Sequence, residues 1–513
     1  MHVDQANTAF RVTGLAVPWQ DDVHHTGPAH QRLAALLRSE INTGRLRPGE
    51  RLPPSRALAE QLGLSRWVVT EAYDQLKAEG YLTGLVGSGT RVAGSATGPD
   101  AAAASASAAA ASTGAASASR ARSGEAAASP APARSDVPPA EPQITLDLSP
   151  ALPELSSFPR AAWRAATTRA LDRVSDAQLG HPDPAGTPQL RRTLADYLRR
   201  VRALDLADDG SGVLITQGVG NAIDLICRQL ATAGARRVAI ENPSWPRLRQ
   251  IVAGNGLDAV PIEVDREGLR VDALLRADAI ERIDAVFTMP THQFPTGVPL
   301  SAARRVALVQ WAAAEDSWII EDDYDAEFRY DRRPVGAVAA LAPDNVAYLG
   351  SVSKTLSPSL HLGWMVAPSR LLARIASARA GLGALTPTIE QLALVDFITS
   401  GAYDRHLRRM RRRYQLRRRA MLEALHRQVP GAPAPSMDAG LHVLWHLPPG
   451  CDEATVIERC AASGIAVAAE SACRVGPSPG NASAHPGLVL GYGNVPEHRA
   501  DEIARIIAAA TRA

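Results

Sequence analysis

Two folded units of different class are predicted for this chain of 513 residues. The first is a small α+β unit of three helices and a hairpin. The second is a large α/β unit on a mostly parallel sheet. Three observations predict this. Residues 94–143 are almost entirely Ala, Ser, Pro and Gly, and such a stretch buries too little apolar surface to offset its conformational entropy. Before it, three amphipathic stretches with start and stop residues precede two short extended runs. After it, short apolar runs alternate with helical patterns, which is the signature of a parallel sheet.

Residues 1–23 read as a flexible tail. The small unit runs over 24–93. From Gln31 to Thr43, Leu33, Leu36, Leu37 and Ile41 recur on one helical face. Pro48-Gly49 breaks the chain. Ser55 is an expected N-cap of a helix through Leu62, which Gly63 ends, and Ser65 caps a third helix carrying Val68, Val69, Ala72, Tyr73 and Leu76 inward. Gly80 stops it. Tyr81–Thr83 and Thr90–Val92, around Gly87-Ser88-Gly89, read as a hairpin. Three helices and a Gly-tipped hairpin form a winged helix-turn-helix pattern. Nine basic residues against six acidic ones give it a mild positive excess. Arg56 and Arg66 stand near helix starts, where a helix-turn-helix meets phosphates and base edges. A protein-interaction module with surface arginines is the alternative.

The linker is 94–143, and the large unit covers 144–513. Its expected strands are Val213–Ile215, Val238–Ile240, Ala285–Thr288, Trp318–Glu321, Val346–Gly350 and Trp364–Ala367. Helices are expected over Ala222–Leu230 and Ala302–Ala314, among others. From Met421 a smaller α+β lobe is expected, with a strand at Leu441–Trp445 and a last helix at Asp501–Ala510.

Composition excludes several classes. A 46% hydrophobic content argues against a disordered chain, and a net charge of +2 against a histone-like one. Four scattered cysteines without a C-x-x-C pair support neither a disulfide framework nor a zinc ribbon. With neither a signal pattern nor a long apolar run, the expectation is a cytoplasmic protein with no membrane segment.

Two of the 55 basic residues are lysines, Lys77 and Lys354; the others are arginines. A primary amine forms a Schiff base, which a guanidinium does not. Lys354 lies in Gly350-Ser-Val-Ser-Lys-Thr-Leu356, just after an expected strand. There a lysine can hold pyridoxal phosphate while Ser351 and Ser353 hold its phosphate; a solvated surface lysine is the alternative. Upstream, Trp318–Arg329 ends a buried strand in clustered carboxylates. The pyridine nitrogen needs one buried carboxylate, and O3′ gains from a phenol. Asp322 and Tyr324 are spaced to share one side of an extended chain. A solvated acidic loop or a metal site is the alternative, and the lack of an adjacent His weakens the metal; none is expected. Thr216–Ala222, with Gly218 and Gly220, follows a strand and opens a helix, so backbone N–H groups can approach a phosphate.

GERLPPSRALAEQLGLSRWVVTEAYDQLKAEGYL…GSGT resembles the GntR-type winged helix-turn-helix along the whole small unit. The resemblance implies binding to double-stranded DNA through Arg56, Ser65, Arg66 and Thr70, with Gly89 and Thr90 in the wing. Trp67 stands where the pattern often has Asn, which puts base preference there in question. In the large unit, GHPDPAGTPQLRRTLADYL, ITQGVGNAIDL, ENPSWPRLR, MPTHQFPTG, IIEDDYDAEFRY and GSVSKTLSPSLHLGW resemble the pyridoxal-phosphate-dependent transferase (aminotransferase type I) fold. The fusion resembles the MocR/PdxR family of transcriptional regulators. That resemblance implies pyridoxal 5′-phosphate held as an aldimine on Lys354, Asp322 on the ring nitrogen and Tyr324 near O3′. It further implies Trp245 stacked on the ring, Val219 and Gly220 on the phosphate, and His292 and Gln293 near the ring oxygen. Arg247 is the implied ligand of an effector carboxylate; Arg474 is a second candidate. A homodimer is implied, each winged helix crossing to its partner. The implied effector is pyridoxal phosphate itself, an amine or an amino acid. An active aminotransferase with an appended DNA-binding domain is the alternative function.

Two positions depart from the family pattern. His361 replaces an Arg that meets the phosphate, and His181 replaces a Tyr that reaches it from the partner. Arg is always charged, whereas histidine ordinarily titrates at about 6.5. Cofactor binding is therefore expected to be weaker or more pH-dependent than is usual in the family; spectroscopic titration yielding the same tight affinity at acidic and at alkaline pH contradicts this. The run Arg405–Arg419 reads as a long solvated helix, with a nucleic-acid patch as the alternative.

Overall fold

The computed structural model describes residues 9–12, 15–18, 29–42, 45–47, 49–78, 81–85, 89–93, 144–150, 152–330, 336–382, 385–434, 436–476 and 486–512. The expected linker thus lies outside the described residues, as do Gly80, Gly87 and Ser88. Within the stretch read as a flexible tail, Ala9–Val12 and Leu15–Pro18 pair as an antiparallel hairpin.

The small unit has helices α1 (Ala29–Asn42), α2 (Ser55–Leu62) and α3 (Arg66–Ala78), then strands β1 (Leu82–Leu85) and β2 (Gly89–Val92). Leu33, Leu37, Leu58, Val69, Ala72 and Leu76 are fully buried between the helices. Burying each large apolar side chain contributes about 1.5–3 kcal/mol. Gly63 closes α2 in the left-handed region at φ 65°, which spares the Cβ clash other residues meet there. The expected cap Ser55 is instead the first helical residue, with Pro54 before it making no side-chain bond. Ser65 does cap α3, its Oγ accepting from Val68 N at 3.4 Å.

The large unit is an eight-stranded sheet. Its strands are β3 (Val213–Thr216), β4 (Arg237–Asn242), β5 (Asp258–Asp265), β6 (Gly268–Leu269), β7 (Ala285–Thr288), β8 (Trp318–Asp322), β9 (Val346–Ser351) and β10 (Gly363–Val366). They lie in the order β3-β10-β9-β8-β7-β4-β5-β6. β10 runs antiparallel to both neighbours, while β5, β4, β7, β8 and β9 are parallel. The strands read as unbroken apolar runs because both faces are covered. Ile215, Ala239, Val286, Ile319 and Tyr348 feed the core on one face; Leu214, Ile240, Phe287, Ile320 and Leu349 feed the other. Strand β5, next to the two-residue edge strand β6, carries Pro261 and acidic residues, so it lacks that signature.

Five helices position the sites: α4 (Pro188–Arg202), α5 (Val219–Thr232), α6 (Pro246–Gly254), α7 (Ala302–Ala314) and α8 (Ala402–Gln428). α8 runs unbroken through Met421, so the smaller lobe begins only after it, later than expected. That lobe centres on His442–His446 paired with Gly487–Gly491. The winged helix rests on its own chain: Ala302 and Val306 of α7 pack into its core cluster. No helix among the described residues is long and apolar enough to cross a membrane.

Candidate functional site

The carboxyl ends of β3, β4, β7, β8 and β9 converge on one crevice, the usual binding position of an open α/β sheet. β8 ends at Asp322. Burial and the neighbouring Asp323 push its carboxyl up to about 8. Its Oδ1 is buried without a hydrogen-bond partner. A desolvated carboxyl in that state suits a cationic N–H donor. β9 ends at Ser351 and turns through Ser353 to Lys354, with Ser353 N donating to Ser351 Oγ at 3.3 Å. Lys354 is partly buried. Desolvation lowers its pKa, while Asp322 and Asp325 oppose that from nearby. A lowered pKa leaves more of the amine neutral and nucleophilic.

On the far side of β10, Gly218 (φ 102°) leads into α5, whose first-turn N–H groups, at Val219 and Gly220, face no intrahelical acceptor. A Cβ on Gly363 would lie 2.7 Å from Gly218 Cα, so the corner has no room for a side chain at Gly363, while Gly218 is favoured there by its positive φ. Ser351 pairs with Gly363 and Thr216 pairs with Gly363 on the other side, which brings both serines' turn and the α5 terminus together. Trp245, at the start of α6, lies 3.8 Å from where a Gly220 Cβ would stand. These residues fit pyridoxal phosphate: a helix terminus and hydroxyls for its phosphate, an indole face for its ring, an unpaired carboxylate for its nitrogen and an amine for its aldehyde.

Tyr324 hydroxyl lies 3.0 Å from His292 Nδ1, and that nitrogen lies 2.9 Å from Asp325 Oδ2. Burial first, then the nearby carboxylates, raise the Tyr324 pKa, so its phenol stays a donor. Gln293 behaves differently from expectation. Its Nε2 donates to Pro243 O at 2.7 Å and Phe294 O at 2.6 Å, and its Oε1 accepts from Thr296. Its amide is consumed in holding the loop, with nothing left for a ring oxygen.

Three residues of the crevice were not singled out from sequence. Asp325 lies in the acidic run already noted, but nothing marked it apart from its neighbours. His442 comes from the smaller lobe; its Nε2 meets Pro295 O at 3.2 Å, and burial pushes its pKa down to about 3. Glu241, raised by burial to about 7, accepts from Thr288 Oγ1 at 2.6 Å. The fold therefore supplies two histidines to the carboxylates, although none is adjacent in sequence: ligand atoms of His292, Asp325 and His442 lie within 4.8 Å of one another. His292 Nδ1 is already engaged by Asp325 and Tyr324, which makes this a buried hydrogen-bonded group.

Arg474 is not free to bind a carboxylate. It pairs with buried Glu470 at 2.6 Å. Arg247, exposed in the first turn of α6, has no partner among the described residues. His361, in the left-handed region at φ 48°, and His181 are both exposed. In the small unit, Arg56, Ser65, Arg66 and Thr70 are all exposed on α2, α3 and the turn between them. Gly89 (φ 83°) and Thr90 open β2, and a Cβ on Gly89 would meet Arg51 Nε at 2.8 Å. Trp67 is 63% exposed on α3, its ring edge-on to His30.

The shifted Asp322 carboxyl yields a stability prediction. A folded-state pKa of about 8 lies above the unfolded value, so its stabilising contribution is full at low pH and lost as pH rises through about 8. Relative to the wild-type chain without cofactor, Asp322→Asn is expected to gain thermal stability between pH 5 and pH 8.5. Melting curves of the two chains that stay parallel across this range contradict it.

Residues 152–483 match the family model of class I and II aminotransferases, and residues 29–92 that of bacterial regulatory proteins of the gntR family. The HTH-type pyridoxine biosynthesis transcriptional regulator PdxR of Corynebacterium glutamicum is 32% identical, covering 90% of this chain and 91% of its own. The probable rhizopine catabolism regulatory protein MocR of Rhizobium meliloti is 32% identical over 78% of each chain. Among solved structures, Pyrococcus horikoshii kynurenine aminotransferase in complex with PMP superposes with a TM-score of 0.64 at 26% identity. That match covers 72% of this chain and 91% of the other.

Proposed function

The chain belongs to the family of HTH-type regulators that join a GntR-type domain to a class I/II aminotransferase domain, and on that premise we propose that it is a cytoplasmic, nucleoid-associated transcriptional regulator that senses pyridoxal phosphate, or an amine or amino acid reacting with it. One observation carries the reading: a lysine with a lowered pKa stands beside a buried, unpartnered Asp322 in a chain that also presents an exposed helix-turn-helix surface. Pyridoxal phosphate, when bound, would supply an electrophilic aldehyde, and Lys354 is the amine that would hold it. Asp322 holds the ring nitrogen's proton, Tyr324 donates towards O3′ with His292 orienting it, and Trp245 covers the ring. Val219, Gly220, Ser351 and Ser353 bind the phosphate, with His361 and a partner copy's His181 at its edge.

Double-stranded operator DNA is bound through Arg56, Ser65, Arg66, Thr70 and the wing at Gly89 and Thr90, by a homodimer. An amine effector would compete with the Lys354 amine for the cofactor's aldehyde, and its binding would change how the winged helices sit. This requires that the effector bind the two states with different affinity. Arg247 is the proposed carboxylate ligand. Arg247→Ala is expected to leave cofactor binding intact and to weaken an amino-acid-induced spectral shift by about 10- to 100-fold, the worth of a charged hydrogen bond. An unchanged amino-acid titration removes Arg247 from the site.

The overall reading is tested by fluorescence anisotropy of promoter DNA with and without pyridoxal phosphate, alongside an assay with an amino acid and a keto acid. A cofactor-dependent change in DNA affinity without sustained turnover supports the sensor. Sustained multiple turnover with DNA affinity unchanged supports an aminotransferase instead.

A further inference from the structure

A cavity of about 630 Å³ opens between the end of α4, residues 326–330 and the first half of α8. It shares no lining residue with the Lys354 crevice. Arg200, Arg202, Arg329, Arg408, Arg411 and Arg412 line it, against two acids, Glu327 and Asp404. Its volume falls in the range of small-molecule sites, about 300–1,000 Å³.

The arginine-rich run lies on α8, and the structure shows how those charges are used. Of the ten arginines on α8, eight bond to the protein. Arg413 and Arg417 hold Glu154, Arg418 holds Asp438, and Arg411 donates twice to Glu327 O. Arg408 and Arg412 alone on this helix have no hydrogen-bond or ion-pair partner among the described residues. They stand one turn apart, and both line the cavity. Unpartnered cations gathered in one concavity repel each other and favour an anion between them. Guanidinium forks match the oxygens of phosphate and carboxylate.

We propose that this cavity binds a small, multiply charged oxyanion of the phosphate-ester or phosphoanhydride class, at a site separate from the cofactor crevice. Depth favours a small ligand over a nucleic-acid backbone. Arg202 and Arg329 are both only 6% exposed, beyond the reach of a duplex resting on the surface. Tyr197, Val201 and Leu407 add apolar wall that a phosphate track does not use. The cavity is also joined to the cofactor carboxylates. Arg202 pairs with Asp323, Tyr348 hydroxyl donates to Asp323 at 2.6 Å, and Asp323 is the neighbour of Asp322. An anion drawn towards Arg202 competes with Asp323 for it, so occupancy is felt one residue from the ring-nitrogen partner.

The test is isothermal titration of pyrophosphate into the full chain, first saturated with pyridoxal phosphate and desalted so that the α5 cradle is filled. Wild type is compared with Arg408→Gln/Arg412→Gln and with Arg419→Gln, a control on the same helix whose arginine pairs with Glu423. All three are expected to melt alike, since the altered side chains are exposed. The proposal expects one site per chain in wild type and control, weakened at least tenfold in the double variant. No binding in wild type, or equal binding in all three, overturns it. A second titration uses a random-sequence duplex. If the double variant loses duplex affinity while pyrophosphate binding is absent or unaltered, the two arginines serve a nucleic-acid surface and the proposal fails.

Discussion

Lys354→Ala is expected to yield a folded chain that shows no imine absorption band after mixing with pyridoxal phosphate. The side chain is partly buried and makes no ion pair or hydrogen bond among the described residues, only longer-range attraction to Asp322 and Asp325, so its truncation is expected to leave the fold intact. What it removes is the nucleophile. Lys77 cannot replace it: that amine sits in the small unit, paired with Asp74 at 3.3 Å. Asp322, Trp245 and the α5 terminus remain, so weak non-covalent binding persists. The affinity is expected to fall by on the order of 100- to 1,000-fold, about 3–4 kcal/mol. Equilibrium titration by quenching of tryptophan fluorescence measures it; Trp245 and Trp364 both lie close to the crevice. Lys354→Arg is expected to fail equally, because charge without a primary amine forms no imine. If the alanine variant turns yellow and binds as tightly as wild type, the covalent assignment is wrong.

Arg66→Ala is expected to weaken promoter binding by about 1–3 kcal/mol, roughly 5- to 150-fold, per recognition helix. Arg66 opens α3, is exposed, and makes no hydrogen bond or ion pair among the described residues. Its loss is therefore expected to change folding stability by less than about 0.5 kcal/mol. The pattern of loss identifies the contact. A base contact relaxes specificity at one operator position. A phosphate contact weakens all sequences alike and reduces the salt dependence by about one counter-ion. Anisotropy titrations at two salt concentrations with operator and mutated operator separate the two. Unchanged affinity for every duplex at both salts removes Arg66 from the DNA surface.

Much of this fold was legible because its local signals agree. Ala285–Thr288 and Ala302–Ala314 match the structure residue for residue, since both have uniform apolar patterns. Gly63 and Ser65 mark the ends of α2 and α3 for stereochemical reasons visible in the sequence. Strand β5 was not legible: covered on its outer side only by two-residue β6, it is half solvated and interrupted by proline, so it carries neither the alternating nor the continuous pattern. The small-lobe boundary was misplaced because α8 is a single helix whose polarity hides its continuity. The cofactor residues were legible where they follow strand ends, as at Asp322 and Lys354. His442 was not, because it reaches the crevice from 120 residues beyond Asp322 through tertiary packing alone. Arg474 misled for a related reason. Its partner Glu470 lies one helical turn back, but only the fold buries that carboxylate and commits the arginine to it. In the arginine run, spacing alone could not show which charges are spent on the protein and which are not.

Reductive trapping tests the central claim most directly. The full chain, mixed with pyridoxal phosphate, is treated with borohydride, digested and mapped by mass spectrometry. The chain offers two lysine side chains and one terminal amine, so the label has few places to go. Stoichiometric pyridoxyl label on the peptide containing Lys354, abolished in Lys354→Ala, is the predicted result. Label spread over Lys77 and the terminus, or no label at saturating pyridoxal phosphate, contradicts the account.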